Sequence, residues 1–222
     1  RGYDVYELPP NGQGIVALMA LNILEHFNFK EKELITTYHK QIEAIKLAFA
    51  DGLAYVADPQ KMKTPIQSLL SKNYAWKRSQ DIKIKAIDPL AGKPIGSGTV
   101  YLAVADQDGN MVSMIQSNYM GFGSGIVVPQ TGIALHNRGH NFSINPTSCN
   151  VVEPYKRPYH TIIPGFLMKN RTAIGPFGVM GGFMQPQGHV QVLMNMIDFG
   201  MDPQQALDAP RFQWTEGKKI SV

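Results

Sequence analysis

Hydrophobic residues recur at helical spacing through the first third of the chain. Intervals of three and four residues predict a helix over residues 33–57 that turns one apolar stripe towards a core, formed by Tyr38, Ile42, Ile45, Phe49, Leu53 and Val56. A broad apolar face from Ile15 to Ile23 predicts an earlier helix, directly after a run of breaker residues at 9–12. Ser71 is suited to cap a short helix that ends near Arg78. The chain therefore opens with a helical block.

The pattern changes after a stretch rich in proline and glycine. Residues 81–98 predict an extended linker, and residues 99–105 and 111–117 predict strands joined by a hairpin turn that contains Asp108-Gly109. Further strands are predicted at 132–136, 162–168 and 173–179. A helix that begins after residue 187 is closed by Gly200, and Asp202-Pro203 begins a last short helix. Strands clustered between helical blocks predict an α+β fold in which helices cover a sheet.

Composition narrows the classes of protein. The 222 residues are 44% hydrophobic, which suffices for one sizeable core or two small ones. The net charge of +4 is scattered and forms no basic stripe, so we expect no nucleic-acid partner. No apolar run is long enough for a bilayer, so we expect no membrane insertion. Because the chain opens on Arg1 and not on Met, secretion stays open, as does a start inside a longer protein.

Cysteine and histidine usage argues against a cofactor or metal. Cys149 is the single cysteine, which excludes an intrachain disulfide and a cysteine-based zinc cluster. The six histidines have no metal-ligand spacing with carboxylates. We therefore expect no metal site and no cofactor.

Thr99 is the strongest candidate for chemistry. It follows Gly96-Ser97-Gly98 and begins an apolar strand. A threonine that becomes the first residue of a chain can use its own α-amine, with a pKa of about 8, as the base that activates its hydroxyl. The flexible residues before it would allow the hydroxyl to attack the preceding carbonyl, so we predict cleavage between Gly98 and Thr99. Gly181 and Gly182 could offer two backbone N–H groups to an oxyanion, although an ordinary turn is the alternative.

Several motifs, in order along the chain, resemble the γ-glutamyltransferase family of N-terminal-nucleophile hydrolases. These are Leu8-Pro9-Pro10-Asn11-Gly12-Gln13-Gly14, residues 99–110, Phe122-Gly123-Ser124-Gly125-Ile126-Val127, Lys156-Arg157-Pro158, Gly178-Val179-Met180-Gly181-Gly182, residues 195–200 and Asp208-Ala209-Pro210-Arg211-Phe212. The resemblance implies an αββα sandwich of which this chain is a C-terminal portion. Residues 1–98 would be the mostly helical end of the large subunit with a processing linker, and residues 99–222 a small subunit truncated at its C-terminus.

The resemblance also implies roles for individual residues. Thr99 corresponds to the nucleophile, and Gly181 with Gly182 to the oxyanion hole. Ser117 stands where a second hydroxyl, usually of threonine, hydrogen-bonds the free amine; an ordinary strand serine is the alternative. No cofactor is implied. The catalytic groups of the family are therefore expected here.

The substrate-binding positions depart from the family pattern. Asn141 stands where glutamyl-specific members carry an aspartate for the α-ammonium group, so that charge pairing is lost. Tyr119 replaces an asparagine. His160 and Thr161 replace paired serines, and only Thr161 keeps a hydroxyl. Arg138 could attract a carboxylate, and an unremarkable surface arginine is the alternative. Glutamyl recognition is thus expected to be altered.

Two functional hypotheses follow. The leading one is an amidohydrolase or acyltransferase that forms an acyl-enzyme on Thr99, acting on γ-glutamyl amides such as glutathione or on another carboxylated amide, with the second option modestly favoured. Its partners would be the small-molecule amide and its own two subunits after cleavage, with a homo-oligomer left open. The alternative is an unprocessed, catalytically silent member that serves as a binding or structural protein.

Overall fold

Helices from the two ends of the chain share one core. The computed structural model describes residues 1–89 and 98–222, so residues 90–97 of the predicted linker lie outside the described part. The helices are α1 (Gly14–Leu24), α2 (Ile35–Tyr55), α3 (Ile66–Leu69), α4 (Lys72–Ser79), α5 (Met184–Ile197) and α6 (Pro203–Asp208). Helix α1 packs against α2, α4 and α5. Phe49 of α2 lies with its ring centroid 5.9 Å from that of Trp214, both fully buried.

Antiparallel strands form three small sheets in the described residues. The strands are β1 (Tyr3–Tyr6), β2 (Gly98–Ala105), β3 (Met111–Tyr119), β4 (Gly165–Lys169), β5 (Thr172–Phe177), β6 (Gln213–Glu216) and β7 (Lys219–Ser221). They pair in the orders β1-β4-β5, β2-β3 and β6-β7. Strand β1 comes from the start of the chain and pairs with β4, with Tyr3 opposite Lys169 and Tyr6 opposite Phe166. Strand β5 contacts both β2 and β3, which places the hairpin beside the three-stranded sheet.

Most predicted elements are confirmed. Helices α1 and α2 follow the apolar periodicity, and α4 follows the predicted cap, since the Ser71 hydroxyl accepts a hydrogen bond from the Tyr74 N–H at 3.2 Å. The hairpin β2–β3 has the predicted turn, and Asp202 caps α6 in a reciprocal capping box with Gln205. The α+β class is confirmed, since helices and strands mix along the chain. The predicted division at residue 98 stays a prediction.

Some predicted elements are wrong or shifted. Residues 132–136 form no strand; one bridge joins Val127 to Ala134, and the alternating Ile133 and Leu135 both remain exposed. The alternation of apolar and polar residues in this segment does not correspond to a buried face of a sheet. One bridge is too short a pairing to form a strand. Strand β4 begins three residues later than predicted, and α5 begins at Met184, before the predicted start. The short strands β1, β6 and β7 were not predicted, because four residues or fewer give too little periodicity to recognise.

Candidate active site

Thr99 lies at an irregularity in the β2–β3 ladder. Gly98 pairs with Tyr119 and Val100 pairs with Gln116, so Thr99 alone faces Ser117 and Asn118. One residue opposite two defines a β-bulge, a feature that re-aims side chains at active sites. The Thr99 Oγ1 is buried and has no hydrogen-bond partner within the part of the chain that the structure describes. The bulge therefore brings the predicted nucleophile and Ser117 opposite each other.

Gly181 and Gly182 form the turn that leads into α5. Their φ angles are +115° and +59°, a backbone conformation that side chains disfavour. Their carbonyl oxygens accept hydrogen bonds from the N–H groups of Met184, at 3.0 Å, and Gln185, at 3.1 Å. Within residues 1–89 and 98–222, neither glycine N–H has an acceptor. Two N–H groups thus remain for a ligand beside the N-terminus of a helix, where negative charge is favoured.

Gly178 brings this turn close to β2. A Cβ atom on Gly178 would lie 2.5 Å from the ring of Tyr101, which follows Thr99 by two residues. The Tyr101 hydroxyl lies 3.0 Å from the Ser113 Oγ, which in turn donates to the Gly165 carbonyl at 2.9 Å. The segment 178–182 and the strand of Thr99 are therefore in direct contact.

Arg138 is a buried cation beside this site and not a surface residue. Its side chain donates to the Thr161 Oγ1 at 2.7 Å, and its guanidinium lies 5.3 Å from the centroid of the Tyr119 ring. Among the described residues no carboxylate is within ion-pair distance, although Arg138 is only 1% exposed. Burial lowers the pKa of Arg138 to about 10, so it remains charged at neutral pH. The structure thus joins Tyr119, Arg138 and Thr161 around one positive charge.

His160 and Asn141 present no negative charge. Burial first, and then the charges of Arg138 and His136, lower the pKa of His160 to about 4, so its ring is neutral at pH 7. The Asn141 Nδ2 donates to the Tyr159 carbonyl at 2.8 Å. An adjacent cavity of about 340 Å³ is lined only by uncharged residues: Leu53, Asn141, Phe142, Ser143, Ser148, Asn150, Tyr159 and Phe183. Nothing in this lining would pair with an α-ammonium group.

A second cavity lies apart from the predicted site, and neither a metal site nor a membrane-spanning helix is found among the described residues. A cavity of about 420 Å³ between β1, α1 and α5 contacts none of the predicted site residues. Over the described ranges, no group of three or more His, Cys, Asp and Glu side chains is placed to hold a metal ion. None of the helices described is both long and apolar enough to span a membrane.

Two features close to the site were not assigned a role from the sequence. Gln13 is fully buried, and its Nε2 donates to the carbonyls of Thr161 at 2.6 Å and Gly182 at 2.8 Å. His189 is buried with its Nδ1 2.6 Å from the Glu7 Oε1. Burial raises the pKa of the Glu7 carboxyl, and the interaction with His189 offsets part of this rise. Polar residues within or just before apolar helical runs were the available signal for Gln13 and His189.

Known proteins match this architecture. A solved structure described as cephalosporin acylase from Bacillus halodurans superposes with a TM-score of 0.93 at 63% identity, over 99% of this chain and 40% of that one. The fold is therefore that of the N-terminal-nucleophile hydrolases. The family model described as Gamma-glutamyltranspeptidase matches residues 1–221, and the chain belongs to that family.

The names of curated relatives are consistent with this family. The "Glutathione hydrolase-like YwrD proenzyme" of Bacillus subtilis (strain 168) is 43% identical over 96% of this chain and 41% of its own length. The "Oxamate amidohydrolase proenzyme" of Klebsiella pneumoniae is 34% identical over 96% of this chain and 40% of its own length. The chain therefore spans about two-fifths of the length of the relatives it matches.

Proposed function

We propose that the chain is part of an amidohydrolase or acyltransferase of the γ-glutamyltransferase type, with Thr99 as its nucleophile after cleavage of the Gly98–Thr99 bond. The observation that carries the proposal is the place of Thr99. It lies opposite the bulge that contains Ser117, its hydroxyl has no hydrogen-bond partner among the described residues, and its strand contacts the segment that ends in Gly181 and Gly182. Family membership supports it, since the relatives above are named as proenzymes, hydrolases and acylases.

The chemistry requires two related steps. In processing, the Thr99 Oγ1 attacks the Gly98 carbonyl, the peptide C–N bond breaks to free the α-amine, and water hydrolyses the resulting ester. In turnover, that amine accepts the hydroxyl proton while Oγ1 attacks the substrate amide. The N–H groups of Gly181 and Gly182 bind the oxyanion, each such donor lowering the barrier by about 3 kcal/mol. The proton passes to the departing amine, and water or another amine then cleaves the acyl-enzyme.

The substrate we propose is an amide whose acyl group carries a carboxylate but no α-ammonium group. Arg138 supplies a buried positive charge without a carboxylate partner among the described residues, which suits an anionic acyl group. Asn141 and the uncharged cavity beside it lack the negative charge that a glutamyl ammonium group would need. Among relatives, the names include both glutathione hydrolases and an oxamate amidohydrolase, so substrates differ within the family.

Thr99→Ala in the full protein tests the nucleophile. We expect the unaltered protein to give two fragments on denaturing electrophoresis and to hydrolyse amides, and the variant to give one band and no hydrolysis. Thr131→Ala removes an exposed threonine whose hydroxyl is hydrogen-bonded within its own turn, to Val128 and Ile133, and should change neither result. A processed and active Thr99→Ala protein would contradict the proposal. A single persistent band with no activity in the unaltered protein would favour the catalytically silent alternative.

A further inference from the structure

Gln13 connects the predicted oxyanion turn to the predicted substrate-binding segment. It precedes α1, and its side chain is completely buried. Its Nε2 donates to the carbonyls of Thr161 and Gly182, and its backbone N–H donates to the His160 carbonyl at 2.9 Å. One side chain from the start of the chain therefore makes two hydrogen bonds to segments that the sequence places more than 140 residues away.

The bond to Gly182 acts on the most adaptable part of the site. Two successive glycines with positive φ have few intrinsic restraints, because neither has a Cβ atom to limit its backbone. The first turn of α5 holds their carbonyls from one side through Met184 and Gln185. Gln13 approaches the Gly182 carbonyl as a second donor, and this contact restricts rotation of the glycine pair. The direction in which the N–H groups of Gly181 and Gly182 point depends on that rotation.

The bond to Thr161 extends the same restraint to Arg138. The Thr161 hydroxyl accepts from Arg138, while the Thr161 carbonyl accepts from Gln13. Gln13 thus sets the distance between the oxyanion donors and the cation that we propose for the acyl carboxylate. A displacement of about 1 Å between such groups is enough to cost roughly 100-fold in rate.

Burying the Gln13 amide has both a cost and a benefit for stability. The Gln13 Oε1 is buried and has no partner in the described residues. A buried acceptor without a donor destabilises the folded state. If Gln13 were apolar, the Gly182 carbonyl would keep its bond from the Gln185 N–H, whereas the buried Thr161 carbonyl would lose its donor among the described residues. The two hydrogen bonds that this amide donates, and not apolar packing, therefore account for a glutamine at this position.

We infer that Gln13 is a positioning residue for catalysis: through its Nε2 it aligns the N–H groups of Gly181 and Gly182 with the bound acyl group. This role rests on the proposed function, because it presupposes that these N–H groups bind an oxyanion. Gln13 itself touches neither the substrate nor the nucleophile in this role. Its loss should therefore weaken binding of the transition state and spare binding of the ground state.

The test compares Gln13→Met with Gln191→Met in the full, processed protein. Gln191 is a matched control because it is also a buried glutamine whose Nε2 donates to two carbonyls, those of Gln187 and Phe212. Three quantities are measured: kcat on glutaryl-p-nitroanilide, the inhibition constant of a phosphonate that mimics the tetrahedral intermediate, and that of glutarate, the product acid. The free energy of unfolding is measured for both variants.

For Gln13→Met we expect kcat and phosphonate affinity to fall together by about 10- to 100-fold, while glutarate affinity changes less than about twofold. Gln191→Met should lose stability but change none of the three quantities by more than about twofold. Gln13→Glu keeps the shape of the side chain. Its kcat relative to the unaltered protein should recover as pH falls, because a protonated carboxyl can again donate to one carbonyl.

The outcomes separate the two proposals. An active unaltered protein with normal kcat and phosphonate affinity in both Gln13 variants overturns the positioning role alone. Equal losses in phosphonate and glutarate affinity also overturn it, since they indicate general damage to the site. An unaltered protein that is processed but hydrolyses none of a panel of amides overturns the proposed function and this role with it.

Discussion

At the scale of single residues, Arg138 is a buried cation that has no carboxylate partner in the part of the chain that the structure describes. Its neighbours Tyr119 and Thr161 are uncharged, and burial lowers its pKa only to about 10. A buried cation without a counter-ion is costly and is commonly retained where a ligand supplies the missing charge. The sequence alone left Arg138 open between a surface position and a substrate contact. Its burial, which depends on distant packing, removes the first interpretation.

Arg138→Met should therefore act selectively on carboxylated substrates. A hydrogen bond to a charged group contributes about 1.5–3 kcal/mol, and 1.4 kcal/mol corresponds to tenfold. We expect kcat/KM for glutaryl-p-nitroanilide to fall by about 10- to 100-fold, and that for the neutral butyryl-p-nitroanilide to change less than about threefold. The unaltered protein should prefer the glutaryl to the γ-glutamyl compound. Equal losses on both test substrates, or rapid saturable turnover of the γ-glutamyl compound, would contradict this assignment.

At the scale of secondary-structure elements, the contact between the end of β5 and β2 sets the distance between nucleophile and oxyanion turn. Gly178 follows β5, has no positive φ and packs its backbone on the Tyr101 ring. Any added Cβ must therefore displace either Tyr101 or the segment 178–182. Tyr101 is held by its hydroxyl contact with Ser113, so part of the displacement should reach Gly181 and Gly182.

Gly178→Ala should consequently lower both kcat and the free energy of unfolding. Overpacking of this kind typically costs about 1–3 kcal/mol in unfolding free energy, and a shift of the oxyanion turn should reduce kcat by about tenfold or more. Urea unfolding and steady-state kinetics measure the two effects. Tyr101→Leu in the same protein removes the ring and should restore part of the lost kcat. If the double variant is slower than Gly178→Ala, the steric explanation is wrong.

The sequence predicts elements well where periodicity and capping agree. Helix α2 has a long apolar stripe and α6 has the Asp202 capping box, so the sequence predicts the positions of both helices to within about two residues. The pairing of β1 with β4 could not be foreseen, because 160 or more residues separate partners such as Tyr6 and Phe166 and no local signal joins them. The same limit hid Gln13, whose partners at Thr161 and Gly182 are defined only by tertiary packing.

At the scale of the whole molecule, the residues before and after position 98 form one structure. Strand β1 is hydrogen-bonded to β4, Glu7 is paired with His189, and Phe49 packs on Trp214. Asp58 accepts from the Arg157 backbone N–H at 2.9 Å and is ion-paired with its side chain. Cleavage at Gly98–Thr99 would cut a single peptide bond and leave each of these contacts intact.

The two fragments that we propose should therefore remain associated after cleavage. They should elute together on size-exclusion chromatography at pH 7 and separate only in denaturant. Separate elution at pH 7 without denaturant would contradict the shared core.

The hydrogen bonds from Arg157 hold the pKa of Asp58 at about 2, well below its ordinary value. This contribution is present above the unfolded pKa of about 4 and is lost as pH falls towards 2. Asp58→Asn should thus lower the urea midpoint at pH 7, with the difference from the unaltered protein shrinking at pH 2.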